Sequence, residues 1–114
     1  MKLPGVERAV IDDAKLRDYL ISDSHSVGKY KARFFATLGY DAANWTRLAD
    51  ELLRHAAENE VESTEATAFG TKYRVVGALR GQNGKSARIL VVWIVLHGEN
   101  VPRLTTAHPK RGRP

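Results

Sequence analysis

Thr71-Lys72-Tyr73-Arg74-Val75-Val76-Gly77-Ala78-Leu79-Arg80-Gly81-Gln82-Asn83-Gly84-Lys85-Ser86-Ala87-Arg88-Ile89-Leu90-Val91-Val92-Trp93-Ile94-Val95-Leu96 is the stretch from which the fold is read. Two runs rich in β-branched and aromatic residues flank Asn83-Gly84, a pair that tolerates the positive φ of a tight hairpin. The pattern predicts strands over residues 71–80 and 86–96 joined by a two-residue type I′ turn. Under that turn Gln82 faces Lys85, and Arg74 lies across from Trp93. Strand alternation then groups Tyr73, Val75, Gly77 and Leu79 with Arg88, Leu90, Val92 and Ile94 on the expected core face. Arg74, Val76, Ala78, Arg80, Ile89, Val91, Trp93 and Val95 fall on the other. Residues 88–96 are almost continuously apolar, so both faces of that strand are expected to be covered. Helices cover one face, and a second subunit, a partner or a substrate covers the other.

Downstream, residues 97–102 read as a turn and 103–108 as a last strand; upstream, 62–69 reads as an edge strand or loop. The first half has helical periodicity instead. Asp12 or Asp13 caps a helix to about residue 20, with Leu16, Tyr19 and Leu20 as its apolar stripe. A second helix over about 27–38 carries Tyr30, Phe34, Phe35 and Leu38 and stops at Gly39. A third starts at Asp41 or Asn44 and buries Trp45, Leu48, Ala49, Leu52 and Ala56. Its outer face is expected to hold Arg47, Asp50, Glu51, Arg54, His55 and Glu58. Helices followed by strands indicate an α+β fold: three N-terminal helices packed on one face of a twisted antiparallel sheet of three to four strands.

With 114 residues the chain suits one domain, expected over 1–109, followed by a disordered basic tail over 110–114. It has no cysteine, which excludes disulfides and Cys-based zinc sites and accords with a cytoplasmic location. The first residues lack the apolar core of a signal peptide, and the longest apolar run, 89–96, is far too short to span a membrane. The net charge is +5, but Lys110, Arg111 and Arg113 carry three of the 18 basic charges. Without them 15 basic residues meet 13 acidic ones, so placement of charge matters more than its sum.

Several blocks resemble one family of small bacterial proteins, domain of unknown function 6883. They are Met1-Lys2-Leu3-Pro4, Lys15-Leu16-Arg17-Asp18-Tyr19-Leu20, His25, Gly28-Lys29-Tyr30-Lys31-Ala32-Arg33-Phe34-Phe35 and Leu38-Gly39-Tyr40. Trp45, Phe69-Gly70, Lys72-Tyr73, Asn83-Gly84, Val92-Trp93-Ile94-Val95 and Pro102-Arg103-Leu104-Thr105-Thr106-Ala107 continue the resemblance to Pro109. The chain departs from the family pattern at Ser26, where proline is usual, and at His108, where tyrosine is expected. The resemblance implies no activity. At the level of element order alone, helices before a twisted sheet with a basic-polar last strand look like the RelE and BrnT families of RNA-cleaving toxins.

That likeness implies a metal-independent ribonuclease toxin, and the residues allow one. If residues 98–101 form the last loop, Trp93 opposes Thr106 and Val91 opposes His108, and Arg74 joins them on one surface. A one-residue slip brings Arg103 and Thr105 there instead. RNA cleavage by its own 2′-hydroxyl needs an acid, a base and cations for the growing phosphoryl charge. Arg74, His108, Thr106 and Lys31 are the catalytic candidates. Trp93, Lys29, Arg80, Arg103, Arg111 and Arg113 are the expected nucleic-acid contacts. The competing reading makes Arg74 and Trp93 a cation–π pair that packs an exposed sheet face.

His25 is either a second proton carrier or a turn residue. His55 is expected on a solvated helix face beside Glu51, and His97 in an inert turn. Glu58, Glu60, Glu62 and Glu65 lack metal-ligand spacing and read as a solvated edge. No cofactor or metal is expected. The terminal Arg-Gly-Arg-Pro is either a weak A·T-rich DNA contact or a solubilising tail. The expected partners are an RNA substrate, an antitoxin-like protein and a second copy of the chain. The alternative function is a non-catalytic protein- or nucleic-acid-binding module acting through its exposed sheet face.

Overall fold

The structure is a computed structural model that describes residues 1–17 and 29–110, with the side chains of 29 and 30 excluded. Its helices are α1 (Asp13–Lys15), α2 (Lys29–Ala36) and α3 (Trp45–Glu58), and its strands β1 (Val61–Ala66), β2 (Gly70–Arg80), β3 (Ser86–Leu96) and β4 (Pro102–Pro109). The four strands form one antiparallel sheet in the order β1-β2-β3-β4. The α+β class is as expected, but the described residues do not form a layer of three packed helices. Only α3, at 14 residues, is long. α2 has eight residues and stops where Gly39, at φ +85°, turns the chain so that Tyr40 N–H bonds the Phe35 carbonyl. Of the first expected helix, a single turn lies within the described residues, capped by Asp12 as anticipated. Tyr19 and Leu20 lie outside them.

The hairpin forms where expected, with a different turn and therefore a different register. Tyr73 pairs with Trp93, Arg74 with Val92 and Arg80 with Ser86. Gly81 N–H bonds the Lys85 carbonyl at 2.7 Å, which closes a three-residue loop of Gln82, Asn83 and Gly84. Gly84 takes the left-handed conformation at φ +82°, whereas no non-glycine among the described residues has positive φ. That is the geometry of a type I turn followed by a left-handed residue, not of type I′. The turn after α2 explains the choice: Gln82 N–H donates to the Leu38 carbonyl, and Asn83 Nδ2 donates to the Thr37 carbonyl at 2.9 Å. Tyr40 adds a hydrogen bond from its hydroxyl to the Arg80 carbonyl.

One extra loop residue moves β3 by one position and inverts its faces. Val75 and Leu79 point into the core as predicted, but Ile89, Val91 and Trp93 join them there, all fully buried. The expected opposition of Arg74 to Trp93 is therefore incorrect, and so is an exposed apolar stripe of Ile89 and Val91. Leu90 and Val92, on the other face, are also buried, so the chain itself covers both sides of residues 89–93. The expected cover by a second subunit, a partner or a substrate is not what buries these residues, and the reason for expecting a second copy disappears. A cation–π contact occurs elsewhere, with the Arg17 guanidinium 5.3 Å from the Trp45 ring centre.

Helix α3 seals the core face with Leu48, Leu52 and Ala56. It also turns Glu51 and His55 inward, against the expectation of a solvated face. The Asn59 side chain lies so close over Gly77 that a Cβ there would collide with it, so a glycine is what lets α3 approach β2.

Candidate functional site

The sheet face turned away from α3 gathers the sequence's candidate residues in an unforeseen pattern. A β-bulge between Val92 and Trp93 makes Val92 partner Thr106 while Trp93 partners Leu104, so Thr105 is the extra residue. Leu104 and Ala107 face the core, and His108 sits beside Leu90. Thr106 and His108 face Val92 and Leu90, each one residue earlier on β3 than the expected Trp93 and Val91, and Trp93 faces Leu104. Arg74, Val92 and Thr106 now form one row across β2, β3 and β4. Val76, Leu90 and His108 form the next row, and Lys72, Ile94 and Arg103 the row on the other side.

Strand spacing puts the Arg74 and Thr106 Cα atoms roughly 10 Å apart, with His108 two residues further along β4. Side chains as long as arginine close such a gap around a phosphate. Lys31, from α2, completes the row: its Nζ donates to Thr106 Oγ1 at 2.6 Å. Across the sheet, Arg74 donates to Glu65 on β1 at 2.5 Å, and the guanidinium holds that carboxyl below its usual range. Arg74, Thr106 and His108 are partly exposed, as a site open to a large substrate requires. The shifted register and the bulge compensate, so Arg74, Thr106 and His108 share one sheet face, which Lys31 reaches through Thr106, although the expected pairing that linked them is not the one formed.

Trp93 is removed from the site. It is fully buried on the core face, where its indole N–H finds no acceptor among the described residues, and it cannot stack a base. Arg80 is turned aside: its N–H donates to Glu51 at 2.7 Å and its guanidinium lies 3.4 Å from the same carboxylate. Burial opposes ionisation of Glu51, but bonds from Arg54 and Arg80 outweigh it and hold the carboxyl below its usual range. Arg103 sits at the end of the face, 3.2 Å from Glu99. Lys29 opens α2, but its side chain lies outside the described atoms, as do His25, Arg111 and Arg113 entirely. Lys72 and Arg88 also belong to this face and were missed, although Lys72 stands two residues from Arg74 on one strand, which is signal enough to group them.

The other histidines are placed differently. His97 is exposed in the β3–β4 turn. His55 is fully buried, its ring facing the backbone of Gly77 and Ile89 without a well-formed hydrogen bond at either nitrogen. Burial pushes its pKa below the ordinary histidine value. No helix among the described residues is long and apolar enough to cross a membrane.

A family model for a domain of unknown function, DUF6883, matches residues 2–111. The chain belongs to the DUF6883 family. No curated protein matches it. Among solved structures, this DUF6883 chain is similar to one chain of a contact-dependent growth inhibition toxin–immunity protein complex from Klebsiella pneumoniae 342. The TM-score is 0.71 at 21% identity, over 95% of this chain and 98% of the other. At that identity the likeness concerns the fold.

Proposed function

We propose that this DUF6883 domain is a metal-independent ribonuclease of the toxin kind, acting through the sheet face that bears Arg74, Thr106, His108 and Lys31. The observation that carries the reading is the Lys31–Thr106 hydrogen bond in the same row as Arg74. It joins a cation and a hydroxyl from separate elements on a partly open face with further basic residues. Such a set suits a phosphodiester better than a neutral ligand.

In the reaction proposed, the 2′-oxygen of RNA attacks the adjacent phosphorus and the bond to the 5′-oxygen breaks. The products are a 2′,3′-cyclic phosphate and a 5′-hydroxyl. His108 takes the proton of the attacking 2′-hydroxyl and returns it to the departing 5′-oxygen. Arg74 grips the non-bridging oxygens with its planar fork. Lys31 keeps one lone pair of Thr106 Oγ1 engaged, so that the hydroxyl hydrogen points to the phosphate. The similarity to a chain from a toxin–immunity complex supports a toxin-like setting and a protein partner.

The same similarity favours one alternative, a non-catalytic module that binds a protein through this face. The deciding experiment expresses wild type and Arg74→Ala in bacteria and incubates each purified protein with single-stranded RNA in the presence of a chelator. Growth arrest and cyclic-phosphate ends with wild type alone are expected. Intact RNA and normal growth with wild type would leave the binding module as the account.

A further inference from the structure

The bulge that brings Thr106 to Lys31 also sends its neighbour elsewhere. Thr105 lines a cavity of about 520 Å³ between the N-terminal segment and the sheet. That segment is fixed by a one-residue parallel bridge. Val10 N–H donates to the Pro102 carbonyl at 2.9 Å, and Leu104 N–H donates to the Val10 carbonyl at 3.1 Å. Asp12 follows, its Oδ1 accepting from Ala14 N–H at 2.8 Å and from Lys15 N–H at 3.4 Å. The cap holds the carboxylate at the cavity wall and engages one of its two oxygens.

The lining is divided chemically. Val10, Ile11, Ile94 and Leu104 are apolar, and Val10 is 41% exposed. Asp12, Lys15, Arg103 and Thr105 supply the polar groups. An apolar body with a few polar groups is the usual make-up of a site for a small organic molecule, and the volume lies within the range of such sites. Ile94 and Arg103 are themselves a row of the candidate site, adjacent to the row of Arg74 and Thr106. The cavity thus opens one step along the sheet from the proposed scissile phosphate.

We infer that this cavity is a nucleobase subsite, which takes an unpaired base next to the scissile phosphate and reads an N–H edge through Asp12. The inference rests on the ribonuclease reading for its place in a reaction. A base is flat and apolar on its faces, and matches Val10 and Ile94. An ionised carboxylate only accepts hydrogen bonds, so Asp12 selects a base with donors on its edge. Guanine offers two adjacent donors, N1–H and the N2 amino group, and is the base expected. Lys15 and Arg103 carry the charge for the flanking phosphates. Because the base must leave its stack to enter, the substrate is a single strand or a loop.

The test titrates the full chain with guanosine 3′-monophosphate, and with the adenosine, cytidine and uridine equivalents, and follows backbone amide resonances. Guanosine monophosphate is expected to shift Asp12, Arg103 and Thr105 and to bind about tenfold or more tighter than the others. Asp12→Asn keeps an oxygen for the cap but replaces the other acceptor by a donor. It should abolish the preference while leaving the remaining resonances, and so the fold, in place. Equal binding of all four nucleotides, shifts confined to another part of the molecule, or a preference unchanged in Asp12→Asn would each overturn the subsite. The two readings fail differently. Base-selective binding without RNA cleavage would remove the ribonuclease and leave the subsite. RNA cleavage without nucleotide binding at these residues would remove the subsite and leave the ribonuclease.

Discussion

Replacing Arg74 by alanine separates a structural from a chemical role, because the two predict effects of very different size. In the structure the guanidinium gives one hydrogen bond to Glu65 and is one-third exposed, and its partner is half-exposed. Losing an ion pair so open to water is expected to leave the melting temperature within the scatter of ordinary surface substitutions. The same guanidinium has five N–H groups, of which the Glu65 contact uses one. If the others meet the phosphate in the transition state, their removal costs about 3–4 kcal/mol, or a factor of roughly 10²–10³ in kcat. Arg74→Lys keeps the charge without the fork and should fall between wild type and alanine. Glu65→Gln removes the competing carboxylate and should preserve or raise the rate. Cleavage of a short RNA under single-turnover conditions, beside a thermal melt of each variant, measures both quantities. If Arg74→Ala cleaves within about threefold of wild type, under 1 kcal/mol of barrier, the phosphate-clamp role is wrong.

Three further outcomes follow from other parts of the molecule. His108→Ala should slow cleavage by about 10²–10⁴-fold and remove one limb of the pH–rate profile, whereas a merely structural histidine would leave the profile's shape unchanged. The buried His55 has a pKa below the ordinary value near 6.5, so the unfolded chain takes up a proton on acidification before the native one does. Stability is then full above about pH 6.5 and falls below it by up to about 1.4 kcal/mol per pH unit, until the native pKa is reached. Denaturant melts across this range should lose that contribution in His55→Leu, and an identical pH dependence in both proteins would contradict it. Gly84 is left-handed, and a Cβ added there would meet no atom within 4 Å, so Gly84→Val tests the backbone alone and should cost about 1–2 kcal/mol by chemical denaturation. No change in midpoint would mean that the loop readily adopts another turn.

The sequence was most informative where pattern and chemistry point the same way over many residues. Leu48, Leu52 and Ala56 recur at helical spacing and are all buried, and Val75 and Leu79 alternate into the core as strand residues should. It misled where one residue decides the outcome. Asn83-Gly84 supports a two-residue and a three-residue loop almost equally well. The choice rests on Thr37 and Leu38, which receive the loop's hydrogen bonds from more than 40 positions away. Residues 89–95 of β3 are apolar on both faces, so its orientation is checked by little besides Arg88, which the expected register turns into the core and the structure leaves exposed. His55 was misplaced for a related reason: a helix pattern marks its apolar stripe, but not which polar neighbour the closing sheet covers.

The grouping of Arg74, Thr106 and His108 nevertheless withstands the slip, and the reason lies in strand parity. Shifting β3 by one residue moves Trp93 to the core and brings Val92 to the row, but it leaves the alternation within β2 untouched, so Arg74 keeps its face. On β4 the bulge takes Thr105 out of the alternation, so Leu104 stays in the core while Thr106 and His108 keep that face. A β-bulge is unfavourable for pairing and persists where something compensates for it. Here the compensation is visible on both sides of the extra residue: Thr106 receives Lys31, and Thr105 lines the cavity beside Ile94 and Arg103. Deleting Thr105 therefore separates the site from the cavity. With Thr105 gone, Leu104 and Thr106 are consecutive and meet Trp93 and Val92 in a regular ladder, so Leu104 stays in the core and Thr106 and His108 keep their face. The deletion should leave the fold and RNA cleavage in place while changing nucleotide binding in the cavity that Thr105 lines. A deletion variant that folds but no longer cleaves RNA would show that regular alternation does not preserve the site.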